Sequence, residues 1–435
     1  HQTTPPTFEN TIEALQNTGE LLERNSSILF NLNSAETSDA IQKTTQKASP
    51  LLTKFQNDVR LNQALFERIK TLYQNQGKEK LSAEQQTLLD KEYKGFARNG
   101  ALLNDDEKDL LREIDTEKAK LSLTFGENVL ADTHAFELHI IEEKDLEGLP
   151  DQIKEMAEET AQSKNKKGWV FTLDFPSYVP FMTYAKNRDL RKEFSLAFGK
   201  RGFQDNNNNN TDIILSLIEL RKKRAKLLGY DSHAAFVLEE RMATSEENVV
   251  AFLEDLYQKA YPAAQGEWQE MEHFAKQNLG LNTLEKWDTA YVSEKLKKAQ
   301  LKLDEQELKP YFPLERVKAG VFDIANKLYG LHFKKNSTLE GYHTDVEVFE
   351  VYNREGDFYA LLYTDFFPRP GKRSGAWMTS YRGQKKGQRP HISIVCNFSK
   401  PTASTPSLLT FQEVTTLFHE FGHALHGILA NTTYG

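Results

Sequence analysis

The apolar positions of this chain fall mostly into a helical rhythm. Near the N-terminus, PPTFENTIEALQNTGELLERNSSILFNL opens with prolines and then spaces Phe8, Ile12, Leu15, Leu21 and Leu22 roughly as a helix would. The same texture runs through Ile41 to Gln76, Ser82 to Asn99 and Asn104 to Val129, which predicts long helices with one solvated, charged side. Two short apolar runs, Phe136 to Ile141 and Trp169 to Phe175, flank a helix at Asp151 to Gln162 and predict a peripheral hairpin or ribbon. Helix returns over Asp189 to Leu228, broken by QDNNNNNTD at Gln204 to Asp212, a polar loop ending in an N-cap. The basic cluster Arg221 to Lys226 is threaded by Leu217, Leu220, Leu227 and Leu228, so it reads as a solvated helix face rather than a phosphate site. Lys295 to Lys302 reads the same way, and helices continue to about Tyr329.

At Tyr342 the period changes from helical to alternating. DVEVFEVYN and DFYALLYTDFF are separated by the turn Arg354-Glu355-Gly356, and GAWMTSYR and PHISIVCNF form a second pair around Gly383 to Gln388. A small antiparallel sheet over 342–398 is the expectation, feeding through Pro401 to Pro406 into one more helix. An edge strand beside a cleft can receive an extended peptide by β-addition. The candidate edge is Gly375-Ala376-Trp377, where small residues leave room for a close backbone approach.

That last helix, Thr410 to Ala430, carries the chemistry. Thr410 and Glu413 form a capping-box signature, and Val414, Leu417, Phe418, Phe421, Leu425 and Ile428 make one apolar side. His419 and His423 stand at i and i+4, so both imidazoles leave one face of the helix and can grip one metal ion. Glu420 beside them completes H-E-x-x-H, in which the glutamate is the general base toward a water acidified by Zn²⁺. That pattern points to peptide-bond hydrolysis. Gly422 inside the helix suggests close approach of another group. His426 returns to nearly the same face and is a candidate cleft-wall residue rather than a ligand. The longer pattern that would supply a third histidine is absent, since Leu429 stands at its last position.

Composition narrows the setting. A chain of 435 residues can bury a large core and divide into lobes. A net charge of -8 gives no reason to expect nucleic acid or an anionic membrane as partner. The single cysteine, Cys396, excludes an internal disulfide and reads as a small buried hydrophobe. No run approaches the length of a membrane span and no signal peptide is present, which favours the cytoplasm. The chain starts without Met, so removal of a leader, with a periplasmic or exported protein, stays open. Five N-x-S/T sequons, at Asn25, Asn209, Asn336, Asn397 and Asn431, carry little weight.

The text YTDFFPRPGKRSGAWMTSY, NFSKP, PSLLTFQEV and LFHEFGHALHG, with PTFENTIEAL and LLGYDSHAAFVLEERMA, resembles the thimet oligopeptidase family of zinc peptidases. Within that family the chain looks most like the bacterial peptidyl-dipeptidases. The resemblance covers almost the whole chain. It implies a mostly α, two-lobed helical ellipsoid with a deep channel, divided here into an N-terminal lobe, 1–211, and a catalytic lobe, 212–435. It also implies one Zn²⁺ on His419 and His423, Glu420 as base, short unstructured peptides as substrates, and a monomer. The family's third ligand is a glutamate on a later helix, and this chain stops 12 residues past His423. The expectation is therefore an incomplete member that holds little zinc and hydrolyses nothing measurable by itself. Release of C-terminal dipeptides is the expected activity of the complete protein. The alternatives are an endo-acting oligopeptidase of the oligopeptidase A type and, for the chain as it stands, a helical peptide-binding module without turnover.

Overall fold

The structure, a computed structural model, describes residues 4–75 and 80–435. The expected end of the second helical stretch, Gln76, lies outside these residues. Local caps explain why the helices start where they do. Ser82 with Gln85, and Asn104 with Glu107, each exchange a side-chain and a backbone bond in both directions. The helices Ala83–Phe96 and Asp105–Ala135 follow from these caps, beside Glu20–Ala35, Asp39–Arg60 and Gln63–Asn75. Phe66 and Ile69 of Gln63–Asn75 and Leu89 and Phe96 of Ala83–Phe96 form one core with Phe8 and Ile12, and Tyr434 packs edge-on against Phe8 from the far end of the chain.

The expected ribbon is present: β1 (Glu137–Ile140) pairs antiparallel with β2 (Trp169–Thr172), and the helix Asp151–Ser163 packs on it. The asparagine loop departs in one detail from the expected N-cap. Asn210 makes no capping bond; its amide instead spans to Phe125 O (3.1 Å) and Asn128 Nδ2 (2.8 Å) on the long helix. The buried Asp132 organises the rest of the loop, accepting from Gly202 N, Asn206 and Asn208.

The sheet is larger and more mixed than alternation alone predicts. β3 (His332–Lys335), β4 (Glu347–Tyr352), β5 (Phe358–Asp365), β6 (Trp377–Arg382) and β7 (His391–Val395) take the order β3-β4-β5-β7-β6. All pairings are antiparallel except β5 with β7, which run parallel. β6 is therefore an edge strand. The helices Leu314–Tyr329 and Phe411–Leu429 pack with the sheet around one core that includes Val351, Leu362, Ile392, Ile394 and Cys396. Cys396 is fully buried, as its apolar surroundings suggest, and burial pushes its thiol up.

A buried ionic knot ties this sheet to the N-terminal helices. Asp365, at the end of β5, accepts from Tyr342 Oη (2.6 Å), both Arg369 Nη atoms (2.8 and 2.7 Å) and Lys372 Nζ (2.7 Å). Arg369 also reaches Glu36 and the Ala35 carbonyl at the end of the Glu20–Ala35 helix. Lys372 Nζ donates further to Phe367 O and Cys396 O. Burial pushes the Lys372 ammonium down, to about 8, while its partners hold Asp365 below the usual carboxylate range despite its own burial. Both groups are thus charged at neutral pH.

Candidate metal centre

The helix Phe411–Leu429 forms where the sequence places it. Thr410 Oγ1 accepts from Glu413 N (3.1 Å) and Glu413 accepts from Thr410 N (2.7 Å). Val414, Leu417, Phe421, Ala424 and Ile428 are buried against β7, β6 and the neighbouring helix, but Phe418 is exposed rather than part of that face. At 100° per residue Phe418 and Glu420 flank the buried stripe at about equal angles, and it is the Glu420 flank that is covered. Gln412, Thr416, His419 and His423 then share the opposite stripe.

His419 and His423 are exposed, and their Nε2 atoms approach to 3.2 Å. Two imidazoles bound to one tetrahedral zinc, each at roughly 2.0–2.1 Å, have nitrogens about 3.3 Å apart, so the pair fits a shared ion. Among the described residues no group of three or more His, Cys, Asp or Glu converges on a metal position. The described residues thus bring together two candidate ligands, where a catalytic zinc site uses three. His426 is exposed one turn further on, with no hydrogen bond among the described residues. Gly422 is open, with nothing within 4 Å of the place a Cβ would occupy.

A cavity of about 280 Å³ adjoins the N-terminal half of this helix. Gln412, Glu413 and Thr416 form one wall, Gly375, Ala376 and Asn397 another, and Phe175, Pro176, Val179 and Pro180 a third. The candidate edge and the histidine-bearing helix therefore open on one space. Gly375 has φ +102° with nothing near its missing Cβ, so glycine is there for the backbone turn rather than for crowding. Trp377 pairs with Val395, while Ser380 O accepts from Ser27 Oγ (2.8 Å) and Asn31 Nδ2 (3.2 Å). Alternation along the strand turns the backbone of Met378 to the same outer side as Ser380. The Glu20–Ala35 helix caps the far end of that edge, and the stretch beside the cavity is left open.

Sequence reasoning missed two features of this cavity. The helix Phe175–Tyr184 presents exposed Phe175 and Val179 to it, a pattern masked because Phe175 ends an apolar run that reads as strand. Lys309 lines it too, only 4% exposed and without an ion pair among the described residues. Burial pushes its ammonium down, against the pull of Glu413, whose own carboxyl burial pushes up.

Comparison with known proteins adds ancestry. A model described as Peptidase family M3 matches residues 181–435, and one described as Neurolysin/Thimet oligopeptidase, N-terminal domain, matches residues 1–108. The chain is 32% identical over 437 residues to oligopeptidase A of Escherichia coli (strain K12), covering 98% of this chain and 64% of that protein. It is 34% identical over 433 residues to dipeptidyl carboxypeptidase of the same organism, covering 99% and 64%. An organellar oligopeptidase A of Arabidopsis thaliana is 32% identical, covering 99% and 56%. The chain thus spans somewhat under two thirds of the length of these relatives. A solved structure titled as a putative oligoendopeptidase F shares the fold at a TM-score of 0.50 and 13% identity, over 97% of this chain and 62% of that one. The M3 match takes in more than half of the chain, including the helix that bears His419, Glu420 and His423, and on that ground the chain belongs to peptidase family M3.

Proposed function

We propose that this protein hydrolyses short, unstructured peptides with one Zn²⁺ on His419 and His423, and that it releases dipeptides from a free C-terminus. The observation that carries the reading is the convergence of the two Nε2 atoms on a solvent-facing helix stripe, with Glu420 in the same turn. Zinc, when bound, acidifies a water and polarises a carbonyl. Glu420 takes the proton from the attacking water and passes it to the leaving amine nitrogen. The open backbone around Ala376 to Met378 aligns an extended substrate by main-chain hydrogen bonds, which selects for chain rather than side chain. Trp377 sits within that stretch, and His426 forms part of the cleft wall. In this reading residues 1–211 and 212–435 form the two walls of the peptide channel.

Lys309 supports the exo reading over the endo one. A buried ammonium that lines a largely apolar cavity and has no ion pair among the described residues is a good partner for a terminal carboxylate. The test compares a peptide with its C-terminally amidated twin, using mass spectrometry of the products. Stepwise dipeptide loss from the free peptide alone supports the proposal. Equal internal cleavage of both peptides moves the function to an endo-oligopeptidase. Peptide affinity without cleavage by the zinc-loaded protein leaves only a binding module.

A further inference from the structure

A second polar cavity, of about 570 Å³, lies among the helices Asp39–Arg60, Asp105–Ala135 and Thr211–Leu227. None of its lining residues comes from the sheet or from the His419 helix. Three cations face it: Arg60, Lys118 and Arg224. Glu92 pairs with Arg60 (2.7 Å), and Asp115 is shared between Arg224 Nε (2.8 Å) and Lys118 Nζ (3.5 Å). Two carboxylates against three cations leave a positive excess. Burial, with Arg224 and Arg221 adding to it, pushes the Lys118 ammonium down against the pull of Asp115.

Arg224 corrects the reading of its basic cluster as a solvated face. Arg221, Lys222 and Lys223 are exposed, but Arg224 is buried and bonded to Asp115 and to Asn99 Oδ1 (2.9 Å). The second observation is Asn57. It is 9% exposed, it lines the cavity, and its amide nitrogen is buried with no hydrogen-bond partner among the described residues. An orphaned buried donor beside under-neutralised cations is a site short of an acceptor.

We propose that this cavity binds a small polyanion through phosphoryl or carboxylate oxygens, held by Lys118, Arg60, Arg224 and the Asn57 amide. Its volume suits a small metabolite. Asn57, Arg60 and Asn99 lie in the span matched by the N-terminal domain model, and Arg224 lies in the M3 span. A bound anion therefore bridges the two and stabilises the folded chain, independently of the peptidase reading.

The test is calorimetric titration of the chain with inorganic phosphate and, separately, citrate at constant ionic strength, alongside thermal melts. Saturable binding to either probe is expected, with a rise in Tm that tracks occupancy. Phosphate alone marks a phosphoryl ligand and citrate alone a polycarboxylate. Lys118→Met should weaken binding by about tenfold or more while leaving the ligand-free Tm equal or higher, since it removes a desolvated cation. Lys118→Arg should keep the affinity, as should Lys222→Met on the exposed side of the Thr211–Leu227 helix that carries Arg224. Asn57→Ala reads the same loss should Lys118→Met fail to fold. No saturable heat, or an affinity that Lys118→Met and Asn57→Ala leave unchanged, overturns the proposal.

Discussion

Asp365→Asn tests how much of the cavity wall depends on the buried knot. The substitution keeps the shape but removes the charge that faces Arg369 and Lys372, and it turns an amide donor toward one of them. Four bonds of 2.6–2.8 Å converge on the carboxylate, three of them from cations, and Asp365 is 0% exposed. Removing one partner of a buried ion pair costs roughly 3–5 kcal/mol, because the other charge stays behind without compensation. Here Lys372 is left without a carboxylate while Arg369 keeps Glu36, so a loss within that range is expected, a large share of a typical total of about 5–15 kcal/mol. Urea unfolding followed by tryptophan fluorescence measures it. Adding Lys372→Met to Asp365→Asn removes the stranded charge, and the double variant should lose less than the sum of the single losses by about 0.5–3 kcal/mol. A single-variant loss below about 1 kcal/mol, or strict additivity, would refute the view that the knot is a compensated charge cluster.

Three further expectations are simpler to read. Glu420→Gln in the zinc-loaded enzyme should keep metal and lose roughly 10²- to 10⁴-fold in turnover, and near-normal turnover removes Glu420 from the role of base. Gly371→Ala should cost clearly more stability than Gly375→Ala: both have positive φ, but a Cβ at 371 meets Thr37 O at 2.4 Å while one at 375 meets nothing. Equal melting shifts would show that the contact yields freely. Asp365, Asp288 and Asp132 are held below the ordinary carboxylate range, so they bind fewer protons folded than unfolded. Stability from these groups should be intact above about pH 4 and fall as pH drops further, which a pH series of urea midpoints checks.

The helices were legible because their signals are local. Ser82, Asn104 and Thr410 each meet a partner three residues on, and those partners close the bonds that the spacing announces. What depends on distant chain was not legible. Arg224 looks solvated until Asp115, 109 residues away, is seen to bury it. Alternation predicts that 358–365 and 391–395 are strands, but nothing in either run encodes their parallel pairing across the intervening β6. The face of the last helix shows the same limit. Phe418 has the spacing of a core residue, but the sheet packs on the Glu420 side, and only its position decides which edge of a broad apolar arc is covered. The histidine pair was readable because i, i+4 geometry needs nothing beyond the helix itself. Lys309, brought to the same cavity from a separate segment, had no such signature.

The cap that the Glu20–Ala35 helix places on β6 has a consequence for solubility. An exposed strand edge is a template on which a second molecule can continue the sheet, and long, flat, apolar edges aggregate. Ser27 and Asn31 occupy the Ser380 carbonyl, so an intruding sheet finds only the short run around Ala376 to Met378. The opposite edge, β3, is four residues long and carries Lys334 and Lys335. One edge is shortened and the other charged, which leaves the sheet without a long seam for self-assembly.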